Sequence, residues 1–464
     1  MQTEHIASQP VVECFEAESV SSPSTAPNRR FSSVQKWAPI LAKFAFVQGL
    51  VQIIGLAAGL LIVRSLPKQQ YALYTIGNTM LATILVLADS GISSALSAIG
   101  GRIWKDASRL SSLLNTALQL RGKLAAVTVL VVVPVLIWLL MQNGANFWMT
   151  LGIAAAVLVG CTFELITGIY LVALRLKSEI RQIQTQALFG SLVKLAIVGA
   201  ALFIFLNAVV ALLAVIVGYG VQFWMARRWA KAEIDSTAPR DAEMHSEIIS
   251  VFRKLAPHSI YYCLQAQIMV WLISIFGNSE SVADVGALGR LAVVFALLSS
   301  VTVEVVLPAF SRIQSLPLLR RRYIQIVLGY CSFSVLLVVL VALFPQQILS
   351  VLGQQYSSLH SEGILIAACG VVSTTAGLLW ATNGARAWVV PPGLLIPITI
   401  ALQAVLVAVL NLSTVKGVLL FSLYTWVPSV IFSVCLAIKK MWGSDAAAVV
   451  HDVAGSCLSC GCDI

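Results

Sequence analysis

Charged side chains are scarce in this sequence. Of its 464 residues only 11% are Asp, Glu, Lys or Arg, whereas 59% are hydrophobic. A soluble protein needs far more polar side chains than this to cover its surface. Apolar runs that are long enough to cross a bilayer recur along the chain instead. The composition therefore excludes a soluble globular protein and indicates a polytopic membrane protein.

The sequence also lacks the motifs of an enzyme or of an ATP-driven pump. Its five histidines are scattered, and no glycine-rich phosphate loop is present. The longest loop on the side that carries little positive charge, from Pro345 to Glu362, offers only His360 and Glu362 as catalytic groups. We therefore predict that the protein is not an enzyme and that it has no cofactor.

The cysteines give no sign of a disulfide framework or a metal site. Nine is an odd number, and several of them lie within apolar runs, where a thiol packs as a small hydrophobic group. Cys457, Cys460 and Cys462 form a single C-x-x-C-x-C near the C-terminus, and no second pair accompanies them. No metal site is predicted.

Twelve apolar segments have the length of roughly 18 to 25 residues that a bilayer-spanning helix requires. The predicted fold class is all-α, with twelve transmembrane helices in two six-helix lobes around a central cavity. The predicted spans are 40–63, 71–98, 124–141, 147–174, 187–206, 209–226, 259–276, 282–306, 324–344, 363–383, 393–410 and 415–438.

Composition predicts the domain boundaries. Residues 1–36 are rich in Ser, Pro and Glu and lack the apolar core of a secretory signal, so we expect a disordered cytoplasmic tail. The first lobe is expected at 37–226 and the second at 258–440. A charged cytoplasmic linker at 227–257 joins them, and a second cytoplasmic tail covers 441–464.

Lys and Arg residues concentrate in alternate loops. Positive charge is retained on the cytoplasmic side of a membrane, and an even number of spans then places both termini in the cytoplasm. The net charge of +10 lies mostly in these short loops, so it reflects topology and does not indicate nucleic acid as a partner. The amphipathic stretch 106–123 is expected on the cytoplasmic face, leading into the third span.

Several ionisable residues lie inside predicted spans, although an ionised group at the bilayer centre costs about 2.5 to 3.5 kcal/mol. Among them are Lys43, Asp89, Glu164, Lys194, Arg290 and Glu304. Charges on so many helices cannot all face lipid, so we predict a polar cavity to which both halves contribute. Cations in such a cavity suit an anionic substrate, and carboxylates suit a counter-charge or a coupling ion. Pairing among these residues inside the protein is the alternative interpretation.

Two segments carry recognisable sequence patterns. The first has an R-x-L-x-x-x-x-Y-A/G-x-Y pattern followed by D-x-G-x-x-x-A, through Arg64, Leu66, Tyr71, Ala72, Tyr74, Asp89, Gly91 and Ala95. The second lies in the region of the seventh and eighth spans and contains Gly286, Leu288, Arg290, Leu291, Leu307, Pro308, Ser311 and Arg312. Both segments resemble the corresponding regions of the polysaccharide exporters of the multidrug/oligosaccharidyl-lipid/polysaccharide (MOP) superfamily. The chain departs from the family in the seventh span, where members often have an acid and this sequence has Gln265, Gln267 and Met269. The seventh predicted span, 259–276, therefore has no acidic residue that could take part in coupling.

The resemblance implies a flippase that exports a lipid-linked oligosaccharide or polysaccharide repeat unit by alternating access. Such a protein would act in O-antigen, lipopolysaccharide or exopolysaccharide synthesis at a bacterial inner membrane, as a monomer beside a polysaccharide polymerase and glycosyltransferases. Its substrate would carry a polyprenyl diphosphate, and H⁺ or Na⁺ could be the coupling ion.

Roles for the charged residues follow from this interpretation. Lys43, Lys194, Arg290 and Arg64 are the predicted substrate-binding cations, and Asp89, Glu164 and Glu304 are the predicted coupling or counter-charge residues. The alternatives are a cation-coupled antiporter of drugs or metabolites, of the MATE type, and a membrane glycan polymerase or ligase.

Overall fold

The computed structural model describes residues 29–103, 106–177, 179–204, 206–231, 242–292, 315–384 and 390–442, with isolated residues between these last ranges. Side chains of the first helix are described from residue 46 onward. Residues Phe44–Ile464 form one compact unit, and Met1–Lys43 belong to a separate one. The predicted N-terminal tail lies mostly, and the predicted C-terminal tail almost entirely, outside the described residues.

The described part of the chain contains α-helices, one short 3₁₀ turn and no β-strand. In chain order the helices are α1 (Arg29–Ser65), α2 (Lys68–Asp89), α3 (Ile92–Ile103), α4 (Ala107–Gln142), α5 (Phe147–Leu176), α6 (Ile180–Ile204), α7 (Ala208–Lys231), α8 (Ala242–Phe276), α9 (Ser279–Leu288), α10 (Leu316–Leu343), α11 (Pro345–Ser350), α12 (His360–Gly384), α13 (Pro392–Val409) and α14 (Val415–Trp442). The 3₁₀ turn, Gln354–Tyr356, lies between α11 and α12.

Ten helices of the described chain are long and apolar enough to cross a membrane, so the prediction of an all-α polytopic membrane protein is confirmed. They are α1, α2, α4, α5, α6, α7, α10, α12, α13 and α14. The predicted seventh span corresponds to α8, which has a shorter apolar segment at Leu264–Phe276. The predicted eighth span corresponds to the region that begins with α9. The count of twelve spans stays a prediction.

Short polar residues start several of these helices. The side chains of Asp106, Asn146, Asn207 and Asn278 accept hydrogen bonds from the backbone N–H groups three residues later. The first N–H groups of a helix have no partner within it, so such caps remove the cost of leaving them unpaired. The turns between membrane helices can therefore be short.

The second predicted span is broken, which the apolar pattern did not predict. The sequence analysis treats 71–98 as one helix, but α2 ends at Asp89 and α3 begins at Ile92. Ser90 and Gly91 lie between them with φ angles of 34° and 95°. Glycine adopts positive φ without steric penalty, so Gly91 allows the chain to leave the helix and resume it.

The eighth predicted span is interrupted too. The helix α9 ends at Leu288. Among the described residues that follow, the backbone N–H groups of Arg290, Leu291, Ala292, Val294 and Phe295 donate to carbonyls three residues earlier. Residues 289–292 are turns, and bonds of this tighter type within a helix often mark a functional segment. Both sequence motifs of the family resemblance therefore coincide with breaks in membrane helices.

The predicted linker at 227–257 is helical where the structure describes it. Its beginning completes α7, and its end is the start of α8. Met244 and Ile248 of α8 are buried in a hydrophobic cluster with α3, α4 and α5. The start of α8 is therefore packed against helices of the first half of the sequence.

Candidate functional site

Arg290 lies where the α9 region meets α1 and α2. Its Nε donates to the hydroxyl of Tyr71 (3.2 Å), and its guanidinium carbon lies 5.9 Å from the ring centroid of Tyr74. Tyr71 in turn donates to the backbone carbonyl of Gly286 (3.2 Å). A Cβ at Gly59 would lie 3.2 Å from Nη1, so the arginine packs closely against α1 there. Two phenol rings and close packing at Gly59 therefore surround the arginine.

Lys194 of α6 is a second cation in this region. It is partly buried, packs against α7 at Gly218, and lies near enough to Arg290 for the two positive charges to interact. The ion pairs of the described residues place no carboxylate on either cation. Two cations whose charges interact, with no carboxylate paired to them among the described residues, favour an anionic ligand in a membrane bundle.

A second charged group lies within the first half of the sequence. The guanidinium of Arg121 on α4 pairs with Asp89 at the end of α2 (3.0 Å), and Asp89 also accepts from the hydroxyl of Ser93 (2.6 Å). Glu164 of α5 interacts electrostatically with the same arginine, yet its Oε2 is buried with no hydrogen-bond partner among the described residues. Two acids thus share one base.

Arg121 is 7% exposed, and its Nε and Nη1 have no hydrogen-bond partner in the described structure. A Cβ on Gly168 of α5 would lie 2.7 Å from Nη1, so a glycine is needed for this close approach. The ion pair between Arg121 and Asp89 joins α4 to the end of α2, where the second predicted span breaks. We infer that Arg121 stabilises this break as well as neutralising the carboxylate.

Near the turn between α1 and α2, the two halves of the sequence are joined by an ion pair. Lys68 contacts Asp284 of α9 (2.9 Å), and its ammonium lies 5.4 Å from the ring centroid of Tyr356. Burial, followed by the influence of Tyr71 and Asp284, raises the pKa of Tyr356. Its hydroxyl therefore stays protonated at neutral pH beside the ion pair.

Arg64 extends the same interface. It donates from Nε to the carbonyl of Val351 (2.8 Å) and from Nη2 to that of Ser350 (2.9 Å). The amide of Gln355 donates to the carbonyls of Val63 and Leu66. We call this interface, formed by Arg64, Lys68, Tyr71, Asp284, Gly286, Ser350, Val351 and Gln355, the inter-half latch.

Close packing at Gly286 is expected to control the latch. A Cβ at Gly286 would lie 2.5 Å from Oγ1 of Thr75 on α2. Gly286→Val should therefore disfavour the latched state by about 1 to 3 kcal/mol, which corresponds to roughly a 5- to 150-fold change in the equilibrium between the latched and unlatched states. Spin labels at the exposed positions Ser65 and Gln346 should show a new population at longer distance.

Two variants control this prediction. Gly377→Val also places valine in a helix, but no atom lies within 4 Å of the Cβ position there, so it should leave the distances unchanged. Combining Gly286→Val with Thr75→Ala should restore the short distance, because the colliding atoms are removed. An unaltered distance distribution in Gly286→Val would show that this contact does not control the latch.

The predicted site residues lie in three places. Arg290 and Lys194 are near enough for their charges to interact. Asp89 pairs with Arg121, and Glu164 interacts electrostatically with the same arginine. Arg64 lies in the latch. The side chains of Lys43 and Glu304 fall outside the described residues. The roles of all these residues stay predictions.

Arg121, Lys68 and Asp284 were not predicted as site residues. Arg121 was placed in the amphipathic stretch at the membrane surface, but that stretch is the beginning of the long helix α4. Its position on α4 supplied one signal, because Arg121 shares the helix face of the buried Leu110, Leu114 and Ala117. Asp284 could have been selected from the sequence because an acid within an apolar run is costly to bury and needs a partner.

Span seven carries a neutral polar pair where the sequence departs from the family pattern. The amide of Gln403 on α13 donates to Oε1 of Gln265 on α8 (2.5 Å). Gln265 is buried, and its own Nε2 has no partner among the described residues. No carboxylate belongs to this pair, so it gives no support to a coupling role in span seven.

No protein-family model matches this sequence, and no curated protein matches it either.

Solved structures share the architecture at low sequence identity. The lipid II flippase MurJ in an inward closed conformation aligns with a TM-score of 0.69 at 11% identity, over 91% of this chain and 94% of that one. A multidrug resistance MATE family transporter of the MOP superfamily, in an inward-facing conformation, aligns with a TM-score of 0.60 at 15% identity, over 86% and 100%. A MOP superfamily transporter from Pyrococcus furiosus Vc1, whose binding pocket is described as reversed in polarity, aligns with a TM-score of 0.55 at 15% identity, over 86% and 95%.

These alignments cover nearly the whole length of each protein, so they compare complete bundles and not single helical hairpins. Likeness at this identity establishes the fold alone. The chain has the fold of MOP-superfamily transporters.

Proposed function

We propose that the protein is a flippase that exports a lipid-linked oligosaccharide or polysaccharide repeat unit, carried on a polyprenyl diphosphate, across a bacterial plasma membrane. The observation that carries the proposal is the pair Arg290 and Lys194, which lacks carboxylate partners in the described structure. A diphosphate offers the oxygen atoms and negative charge that would balance these two cations. One solved structure of this fold is named as a lipid II flippase.

The proposed motion is alternating access between two lobes, 37–226 and 258–440. With positive charge retained in the cytoplasm and both termini there, the latch would lie at the outer face of the membrane. Its hydrogen bonds would then close the outer side of the cavity. Opening would require the separation of Lys68 from Asp284 and of Arg64 from the carbonyls of Ser350 and Val351.

The group around Arg121 would supply the counter-charge or the coupling site. Asp89 is satisfied by Arg121 and Ser93, whereas Oε2 of Glu164 is buried and has no hydrogen-bond partner in the part of the chain that the structure describes. A bound H⁺ or Na⁺ would balance the second carboxylate. Transport driven by an ion gradient is therefore part of the proposal.

Reconstituted transport tests the function. Purified protein in liposomes is expected to move a fluorescent polyprenyl-diphosphate oligosaccharide from one leaflet to the other, measured by loss of fluorescence when a quencher is added outside. A cationic fluorescent lipid of the same chain length should not be moved. Movement of the cationic lipid alone would refute the proposal.

The second candidate is a cation-coupled antiporter of drugs or metabolites. The excess of acid over base around Arg121 favours it, because such a group can exchange a cation for a positively charged substrate. Uptake of a cationic dye that depends on a proton or sodium gradient would support this candidate. In that case, substitution of Glu164 should abolish uptake while substitution of Arg290 should not.

A further inference from the structure

The hydroxyl of Tyr71 belongs to two groups at once. It donates to the backbone carbonyl of Gly286 in the inter-half latch (3.2 Å), and it accepts from Nε of Arg290 (3.2 Å). A phenol hydroxyl has one proton and two lone pairs, so both bonds can form together. The tyrosine is 0% exposed. One buried oxygen atom therefore connects the contact between the two halves of the sequence with a predicted substrate-binding cation.

The local geometry explains why a single hydroxyl reaches both residues. Gly286 and Arg290 are four residues apart, and Gly289 between them keeps helical backbone angles (φ −57°, ψ −23°). Residues at this spacing in a helical turn lie on the same side of the chain. The ring of Tyr71 stacks on that of Tyr74, with the ring centroids 5.9 Å apart. Tyr71 is therefore held on α2 and would stay there if α9 moved away.

The two hydrogen bonds of this hydroxyl support each other. A hydroxyl that donates its proton to a carbonyl becomes a better acceptor, so the bond to Gly286 strengthens the bond to Arg290. With Nε of the arginine bound to Tyr71, the terminal Nη1 and Nη2 groups still carry donors for an anion. A guanidinium that is fixed in this way is preorganised for paired bonds to phosphate oxygens. Separation of α2 from α9 would remove that orientation.

We propose that Tyr71 is a positioning residue that makes the affinity of the cationic site for a phosphate-bearing anion depend on the latch. The proposal rests on the flippase function proposed above and adds the device that changes the affinity. While the latch is closed, Tyr71 orients Arg290 and the anion binds tightly. When α2 and α9 separate, the arginine loses this partner and the anion is released. Because the latch is proposed to lie at the outer face, release occurs on the side that export requires. By linkage, a bound anion stabilises the closed latch by the same factor.

A double-mutant cycle tests this link. The probe is a polyprenyl diphosphate, and its binding to the full protein is measured by calorimetry in detergent. Gly286→Val, which disfavours the latched state, is expected to weaken binding about tenfold. Tyr71→Phe keeps the buried ring but removes the hydroxyl, and it should weaken binding by a similar factor. Adding Gly286→Val to Tyr71→Phe should then change the affinity by less than about twofold, because the latch and the arginine are no longer connected.

Linkage provides an independent measurement. In Gly286→Val, spin labels at Ser65 and Gln346 should report both latched and unlatched distances, and saturating polyprenyl diphosphate should shift this equilibrium about tenfold towards the short distance. The uncharged polyprenol of the same length should cause no shift. Adding Tyr71→Phe should abolish the response to the diphosphate. A tyrosine that only stabilised the fold would leave this response in place.

Tyr356→Phe is the matched control. Tyr356 is also 0% exposed and lies beside Lys68 of the latch, but its hydroxyl has no hydrogen-bond partner among the described residues. This variant removes the same atom from the same region, and Gly286→Val should still weaken binding in its presence. Arg290→Lys breaks the link from the other side, because lysine keeps the charge but lacks the guanidinium fork. Its weaker binding should no longer depend on the latch.

The possible results are distinguishable. Additive effects of Tyr71→Phe and Gly286→Val, or an affinity that Gly286→Val does not change, would overturn the role of Tyr71 and leave the flippase proposal standing. Loss of the link in Tyr356→Phe would overturn it too, because the effect would then not depend on this hydroxyl. If Tyr71→Phe does not fold, Arg290→Lys decides, and binding that still depends on the latch would refute the link. If the unaltered protein does not bind the polyprenyl diphosphate, the proposed function and the role of Tyr71 fail together.

Discussion

Replacing Arg121 with Met is expected to lower the stability of the folded protein by about 3 kcal/mol. The change leaves Asp89 and Glu164 in the membrane interior without a counter-charge. Loss of one partner from a buried ion pair costs about 3 to 5 kcal/mol, and the lower end applies because the Asp89 side chain is 26% exposed. Thermal unfolding in detergent, followed by tryptophan fluorescence, measures the effect.

Two variants show whether charge is the cause. Arg109→Met removes an exposed arginine from the first turn of the same helix, and the melting temperature should change little. Arg121→Met combined with Asp89→Asn should recover part of the lost stability, since an amide needs no counter-charge and can still accept from Ser93. Equal melting temperatures for Arg121→Met and the unaltered protein would refute the role of this arginine.

The second large effect is expected from the cations. Arg290→Gln with Lys194→Gln should reduce the binding of a polyprenyl diphosphate by at least about a hundredfold. Each hydrogen bond to a charged group contributes about 1.5 to 3 kcal/mol, and tenfold in affinity corresponds to about 1.4 kcal/mol. The two losses should not simply add, because the side chains influence each other. Calorimetric titration of the double variant and of each single variant measures this coupling.

The control for this prediction is a lysine outside the interior. Lys416 is 56% exposed and pairs with Glu362, so Lys416→Gln should bind the diphosphate normally. The same variants should be compared in the transport assay. Full binding and transport by the double variant would remove the main support for an anionic substrate.

The apolar runs of the sequence were sufficient to predict an all-helical membrane protein, but not the continuity of each helix. The run 71–98 contains no proline and no charge cluster that would end a helix at Asp89. The break depends on a positive φ at Ser90 and Gly91 and on the contact between Asp89 and a guanidinium from another helix. Such a contact between distant residues is not visible in local hydrophobicity.

The sequence by itself determined that the protein lies in a membrane and which ionisable residues would be costly to bury there. Because charge is costly in hydrocarbon, an ionisable residue in an apolar run identifies a polar interior whatever the packing is. Asp89, Glu164, Lys194 and Arg290 could be selected on that ground alone.

Only the tertiary structure decided how these charges are distributed. In the folded protein Asp89 pairs with Arg121, and Arg290 contacts two tyrosines. Arg64 and Lys68 join the two halves of the sequence. The physical reason is that electrostatic energy depends on distance and burial. Side chains far apart in sequence acquire these only when the helices pack.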